Sequence, residues 1–210
     1  MTLGPGCPRC TAPVSEDDTG WHCLDHGPIT PLWRSSALTY EDLAEHLTRC
    51  DAVPSLAPWP LSPGWSITDV GCVAAPGKPA RASLVSVAGA SDPDGVVELT
   101  VVSEEPGVGV GARCAGTGRT DPGPELEGPP HAKVRVEGVS LPMWSVSTCD
   151  SSPAFDRSVF AGEALGRWLW LVIRPASAAL LLSAEWSLVD LAELGPELID
   201  VPLGGSPPPW

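Results

Sequence analysis

From Trp65 onward the chain alternates apolar and polar positions in short runs separated by turn residues. "AKVRVEG" sets Val134 and Val136 against Lys133, Arg135 and Glu137, the period-two pattern of a strand with one buried and one wet face. "WSITDVGCVAA", "ARASLVSVAG" and "GVVELTVVSEEPG" form earlier runs, punctuated by "PGKP" and "ASDPDG". "LPMWSVSTC", "SVFAGEALG", "RWLWLVIRP" and "AALLLS" continue the series, and "SLVDLAELGPELIDVP" reads as a short helix. Roughly eight strands at short spacing predict a β-rich α+β fold, with a mostly antiparallel sheet or partly open barrel and one or two short helices. A doubly wound parallel sheet is not expected, because no long helical segments alternate with the strands.

Before Trp65 the period changes. In "LTYEDLAEHLTRC", Thr39 can cap a helix with Asp42 at the box position. Tyr40, Leu43, Ala44 and Leu47 share one face. Glu41, Glu45 and His46 lie on others, which makes His46 an exposed and inert histidine. "DAVPSLAPWPLSPGW" reads as a Pro-rich connector that Trp59 could anchor. The expected organisation is a small N-terminal module over 1–36, a helix and linker over 37–64, a β-rich domain over 65–204 and a disordered tail over 205–210. Trp210, after three prolines, has the look of a peptide that could dock.

The chain carries 25 prolines and 22 glycines among 210 residues, which favours turns and strands over long helices. Its net charge of −14 repels phosphate backbones and anionic lipid, making nucleic acid an unlikely partner and leaving protein as the expected one. "MTLGPGCPRC" has neither a basic n-region nor an apolar h-region. The most apolar window, "LGRWLWLVIRPASAALLLSAEW", is broken by Arg167, Arg174 and Pro175, so no membrane span is expected. A cytoplasmic location follows as the expectation. There, seven cysteines are metal ligands or buried thiols before they are disulfides.

Four of the candidate ligands sit close to the start. Cys7-x-x-Cys10 and Cys23-x-x-His26 form two pairs with twelve residues between them. A Cys-x-x-Cys turn places two sulfurs on one ion, and a second turn of that spacing completes a tetrahedral zinc shell. His26 is the expected fourth ligand, whereas His22, adjoining Cys23 on a strand, points away. Four protein ligands leave no open position for water, so the zinc is expected to be structural. Trp21 and Trp33 could cover the site, and Gly27 permits the positive φ that a tight knuckle needs. Thr11 stands where a ribbon knuckle often carries glycine.

No other stretch carries a comparable signal. "EEPGVGVGARCAGTGRTDPGPELEGPP", residues 104–130, holds Gly107, Gly109 and Gly111 after a strand, yet its later glycines and prolines argue against a helix close behind. It reads as a long mobile loop. There is no His-Glu-x-x-His and no Gly-x-Ser-x-Gly. Glu104, Glu105, Glu163 and Asp190 are acid candidates only, and a dyad of Cys114 or Cys149 with His131 lacks local support. Cys72, Cys114 and Cys149 are read as small buried hydrophobes. Trp168 and Trp170 share a strand face, with Trp144 nearby, and are expected in the core.

The segments "CPRC…WHCLDHGPITPLW", "WSITDVG", "VVSEEPGVGVGARCAG" and "GEALGRWLWLVIRP" resemble an uncharacterised family of actinobacterial proteins with an N-terminal zinc-ribbon-like motif. That resemblance implies a bacterial cytosolic setting and the ribbon ligands, and no mechanism. The functional expectation is a non-enzymatic zinc-ribbon adaptor or regulatory protein-binding module. The alternative is an enzyme or small-ligand binder with a site in the β domain under residues 104–130, using Glu104, Glu105 or His131.

Overall fold

The structure is a computed structural model, and it describes residues 3–92, 94–148, 156–184 and 186–210. The chain runs through β1 (Gly4–Gly6), β2 (Val14–Asp17), β3 (Gly20–Cys23), β4 (Gly27–Ile29), β5 (Leu32–Arg34) and helix α1 (Tyr40–Arg49). It continues through β6 (Leu56–Pro58), β7 (Ser66–Val73), β8 (Ala82–Ser91), β9 (Gly95–Glu104) and helix α2 (Val110–Ala115). Then come β10 (Ala132–Val136), β11 (Val139–Ser145), β12 (Ser158–Ala164), β13 (Arg167–Arg174) and β14 (Ser187–Asp190).

Eleven of these strands form one sheet in the order β1-β5-β7-β8-β9-β13-β12-β11-β10-β14-β6, and β2-β3-β4 form a second, small one. Every pairing between strands is antiparallel except β10 with β14. The large sheet curls until the edge strand β6 packs against β8 and β9, but it does not close into a barrel.

The central strands are buried on both faces, which is why they read as near-continuous apolar runs. Alternate residues go to two cores. Val97, Leu99 and Val101 of β9, with Leu169, Leu171 and Ile173 of β13, fill the main core inside the curl. Val102, Trp170 and Val172 point to the other face, where α2 covers them. Each fully buried side chain of this size is worth about 1.5–3 kcal/mol of apolar burial. Trp170 and Leu171 are both fully buried, and half-buried Trp168 packs beside Trp170. Val134 and Val136 point inward while Lys133 and Arg135 stay exposed, as the alternation of β10 requires.

Several expectations are corrected. "AALLLS" lies in a 3-10 helix, Ala176–Ala184, since a short apolar run does not by itself separate strand from helix. "SLVDLAELGPELIDVP" gives β14 followed by 3-10 turns at Leu191–Glu193 and Gly195–Asp200, with Gly195 and Pro196 interrupting any longer helix. Leu56 and Ala57 of the expected connector are buried in β6. The N-terminal module is also tied in: β1 pairs with β5, and β5 pairs with β7 of the large sheet. Residues 205–210 are not a free tail, because Pro208 is buried and Trp210 packs on the second core. Cys149 falls outside the described residues. No helix among them is long and apolar enough to cross a membrane.

Helix α1 starts at the expected box: Thr39 Oγ1 accepts the Asp42 N–H at 3.2 Å, and the Asp42 carboxylate accepts the Thr39 N–H at 3.1 Å. Its buried face, however, is Asp42, Leu43 and His46, while Tyr40 is half exposed. The sequence places His46 on the wet side; the fold puts it wholly inside. Its Nε2 lies 2.9 Å from Ser55 Oγ and 3.3 Å from Ser83 Oγ, and these two hydroxyls meet at 2.8 Å. Seryl partners satisfy a neutral imidazole, so burial is tolerated.

Burial lowers the His46 pKa to about 3. An unfolded histidine titrates near 6.5, so below that pH the unfolded chain takes up a proton that the folded chain refuses. The stability this group contributes is complete above about pH 6.5 and is lost as pH falls toward 3, at up to about 1.4 kcal/mol per pH unit. Urea unfolding between pH 7 and 4 should show wild-type stability falling more steeply than that of His46→Gln. Parallel curves would contradict the assignment.

Candidate metal centre

The knuckle at Cys7–Cys10 precedes β2, and the one at Cys23–His26 is the turn joining β3 to β4. Antiparallel pairing of Val14 with Cys23 and of Cys23 with Gly27 fixes the second knuckle beside the first. Gly27 takes φ 66°, which lets the chain leave the turn. In the first, the Arg9 N–H points at Cys7 Sγ at 3.4 Å.

One ligand atom from each of Cys7, Cys10, Cys23 and His26 lies within 4.8 Å of the other three. His26 offers Nδ1, at 3.6 Å from Cys7 Sγ, 3.3 Å from Cys10 Sγ and 3.6 Å from Cys23 Sγ; Cys10 and Cys23 sulfurs are 3.5 Å apart. A tetrahedron with metal–sulfur bonds of about 2.3 Å has edges of roughly 3.8 Å, so the cage is close to the size a first-row metal ion needs. Three soft sulfurs and one imidazole could hold such an ion. Cys7 and Cys23 are buried, Cys10 is half-buried and His26 exposed, which closes the site on the protein side.

The thiols respond unequally to this crowding. Desolvation, with the neighbouring thiols, pushes Cys10 up to about 11. Desolvation also acts on Cys23, but hydrogen bonds from His26 and from the Asp25 and His26 backbone outweigh it and bring Cys23 down to about 6. His22 stands apart, with Nδ1 3.4 Å from the Asp17 carboxylate and 3.1 Å from the Gly20 carbonyl. Trp21 and Trp33 meet edge to face at 5.6 Å, and Arg49 stacks on Trp33 at 4.5 Å. Trp33 also donates to the Ala74 carbonyl at 2.8 Å, pinning the module to the large sheet.

The Gly-rich stretch provides the second anchor, and here the expectation of no nearby helix fails. Helix α2 begins directly after Gly109, because Glu104 caps it from the end of β9. The Glu104 carboxyl accepts the N–H of Gly109 at 3.0 Å, Val110 at 2.8 Å and Gly111 at 3.2 Å. These are orphan donors of a helix start, satisfied by a residue outside the helix. Gly111 is required for another reason: a Cβ there would stand 2.1 Å from the Trp170 ring. From α2, Arg113 donates to the Cys7 carbonyl, while Arg9 donates to the carbonyls of Gly107 at 2.7 Å and Val108 at 3.2 Å.

The other candidates are dispersed. Glu104 is enclosed under α2, and Glu105 pairs with Arg81 at 2.8 Å. Exposed His131 precedes β10, with three strands of the sheet between it and β9. It lines a cavity of about 510 Å³ that has no carboxylate among the described residues of its walls. The thiol of buried Cys114 is pushed up by desolvation. Glu163 is exposed, and Asp190 accepts the N–H of Ser55 and Ala192 as a structural cap. Half-exposed Trp144 donates to the Gly128 carbonyl at 3.0 Å.

The chain matches the model of a family of unknown function (DUF6758) over residues 1–209. No curated protein and no solved structure matches the chain.

Burial pushes the Glu104 carboxyl up to about 8 despite its three N–H donors. A folded value above the unfolded one means that its contribution is complete below about pH 4.5 and is lost as pH rises toward 8. Glu104→Ala removes the acceptor for three buried N–H groups. It should cost about 3 kcal/mol at pH 5, measured by urea unfolding, and should flatten the decline in stability from pH 5 to 8.

Proposed function

Because the chain belongs to the DUF6758 family, whose function is unknown, we propose from its site that it is a non-enzymatic zinc-ribbon adaptor, a cytoplasmic actinobacterial protein that binds another protein. The observation that carries this is the closed cage of Cys7, Cys10, Cys23 and His26. Zinc fits it by donor chemistry and by size, and with all four positions taken by protein the ion supplies folding energy rather than a reactive water. A divalent ion with three thiolates leaves one negative charge, and the Arg113 guanidinium at the Cys7 carbonyl lies where it would offset that charge.

Recruitment of a protein is supported by the surface of the ribbon. Leu24, between two of the ligands, is 82% exposed, an apolar side chain presented on a knuckle the metal would stiffen. A second surface, a cavity of about 430 Å³, is walled by Trp59, Trp65 and Trp186 among prolines. Tryptophan is enriched at binding hot spots. For the enzyme alternative, the carboxylate and His131 that it would need do not share a cavity among the described residues.

Elemental analysis of protein purified without chelator should find one zinc per chain, and Cys23→Ser should lose it and unfold at lower temperature. Leu24→Arg should keep the zinc and lose a stoichiometric partner captured from the native host. A wild-type chain without zinc, or one that captures no stoichiometric protein, would count against this reading.

A further inference from the structure

The segment after β14 does something its composition hides. Residues 202–204 lie beside β7: the Ile67 N–H donates to the Pro202 carbonyl at 2.9 Å, and the Gly204 N–H to the Ile67 carbonyl at 3.0 Å. Gly204 and Gly205, at φ 136° and 107°, then turn the chain onto the second face of the sheet. There Pro208–Trp210 lies in a groove of three arginines that come from β5, α2 and β13. Arg34 donates to the Pro208 carbonyl at 3.2 Å, Arg174 to the Pro209 carbonyl at 3.0 Å and Arg113 to the Trp210 carbonyl at 3.5 Å. The Trp210 ring is stacked by Arg34 at 3.9 Å and by Arg113 at 4.8 Å.

The groove is built. Arg34 is held by the buried Asp69 carboxylate at 2.7 Å, and Arg174 lies 3.5 Å from the Asp156 carboxylate. Its chemistry is selective. Arginine offers donors and no acceptor, whereas proline offers a carbonyl and no N–H. A Pro-Pro backbone therefore brings the groove carbonyl acceptors and no competing N–H, and in the extended proline conformation those carbonyls have no internal partner. The aromatic ring adds cation–π contacts to two of the three arginines.

We infer that this arginine groove is a peptide-binding site for proline-rich segments carrying an aromatic ring, and that residues 208–210 occupy it as a built-in competitor. The inference rests on the protein-binding reading only for its biological use; the occupancy is carried by the contacts above. The tethered segment acts at an effective concentration of order millimolar, so a partner's Pro-Pro-aromatic segment binds the intact chain weakly until 208–210 leaves.

The test is calorimetric titration of the full chain and of Trp210→Ala with the synthetic peptide Gly-Ser-Pro-Pro-Pro-Trp. The variant should bind the peptide at least tenfold more tightly than wild type, and a peptide with its Trp replaced by Ala should lose at least tenfold. Equal binding to both chains, or equal binding of both peptides, overturns the proposal. Should Trp210→Ala unfold, wild type labelled with fluorotryptophan decides: excess peptide must move the Trp210 resonance to its solvent position. A resonance that stays fixed, or already sits at the solvent position, overturns it. Zinc content is read on the same samples, so failure of the ribbon reading and failure of the groove are separate results.

Discussion

One buried carboxyl organises the second face of the sheet. Glu104 ends β9, a strand enclosed on both sides, and turns its oxygens to three N–H groups of the following loop and helix. A helix of six residues is too short to persist without such help. Once α2 is set, Arg113 reaches both the Cys7 carbonyl and Trp210. The cysteine–histidine cage and the arginine groove thus share one support, the helix that Glu104 caps.

That arrangement changes what the ribbon is. It is not a module swinging on a proline linker. Its ends are strands of the large sheet, its Trp33 donates into that sheet, and its first knuckle is gripped by α2 and by the Gly107–Val108 carbonyls.

The buried polar groups divide by how they are satisfied. His46 is neutral and sits among hydroxyls, Asp69 meets Arg34, and Glu104 meets backbone donors. Each is a polar group that an apolar side chain could replace in volume but not in specificity, since the partners left behind would be unsatisfied. His46 and Glu104 pull the pH dependence of stability in opposite directions, one failing in acid and the other as the pH rises.

The sequence by itself determined what local geometry enforces. Short apolar runs between turn residues marked β7 to β13, the Thr39–Asp42 box marked α1, and paired x-x spacings marked Cys7, Cys10, Cys23 and His26, because turns that short leave ligands few places to go. Only the tertiary structure decided the rest. His46 is inside because Ser55, just before β6, and Ser83, on β8, receive it. Helix α2 exists in a glycine-rich stretch because its cap comes from Glu104 outside it. Pro208–Trp210 has the composition of a disordered tail and is ordered because Arg34, Arg113 and Arg174 converge beneath it. In each case the fold brings the partner to the polar group; even Glu104, only five residues before Gly109, reaches the helix start only because the turn after β9 folds back.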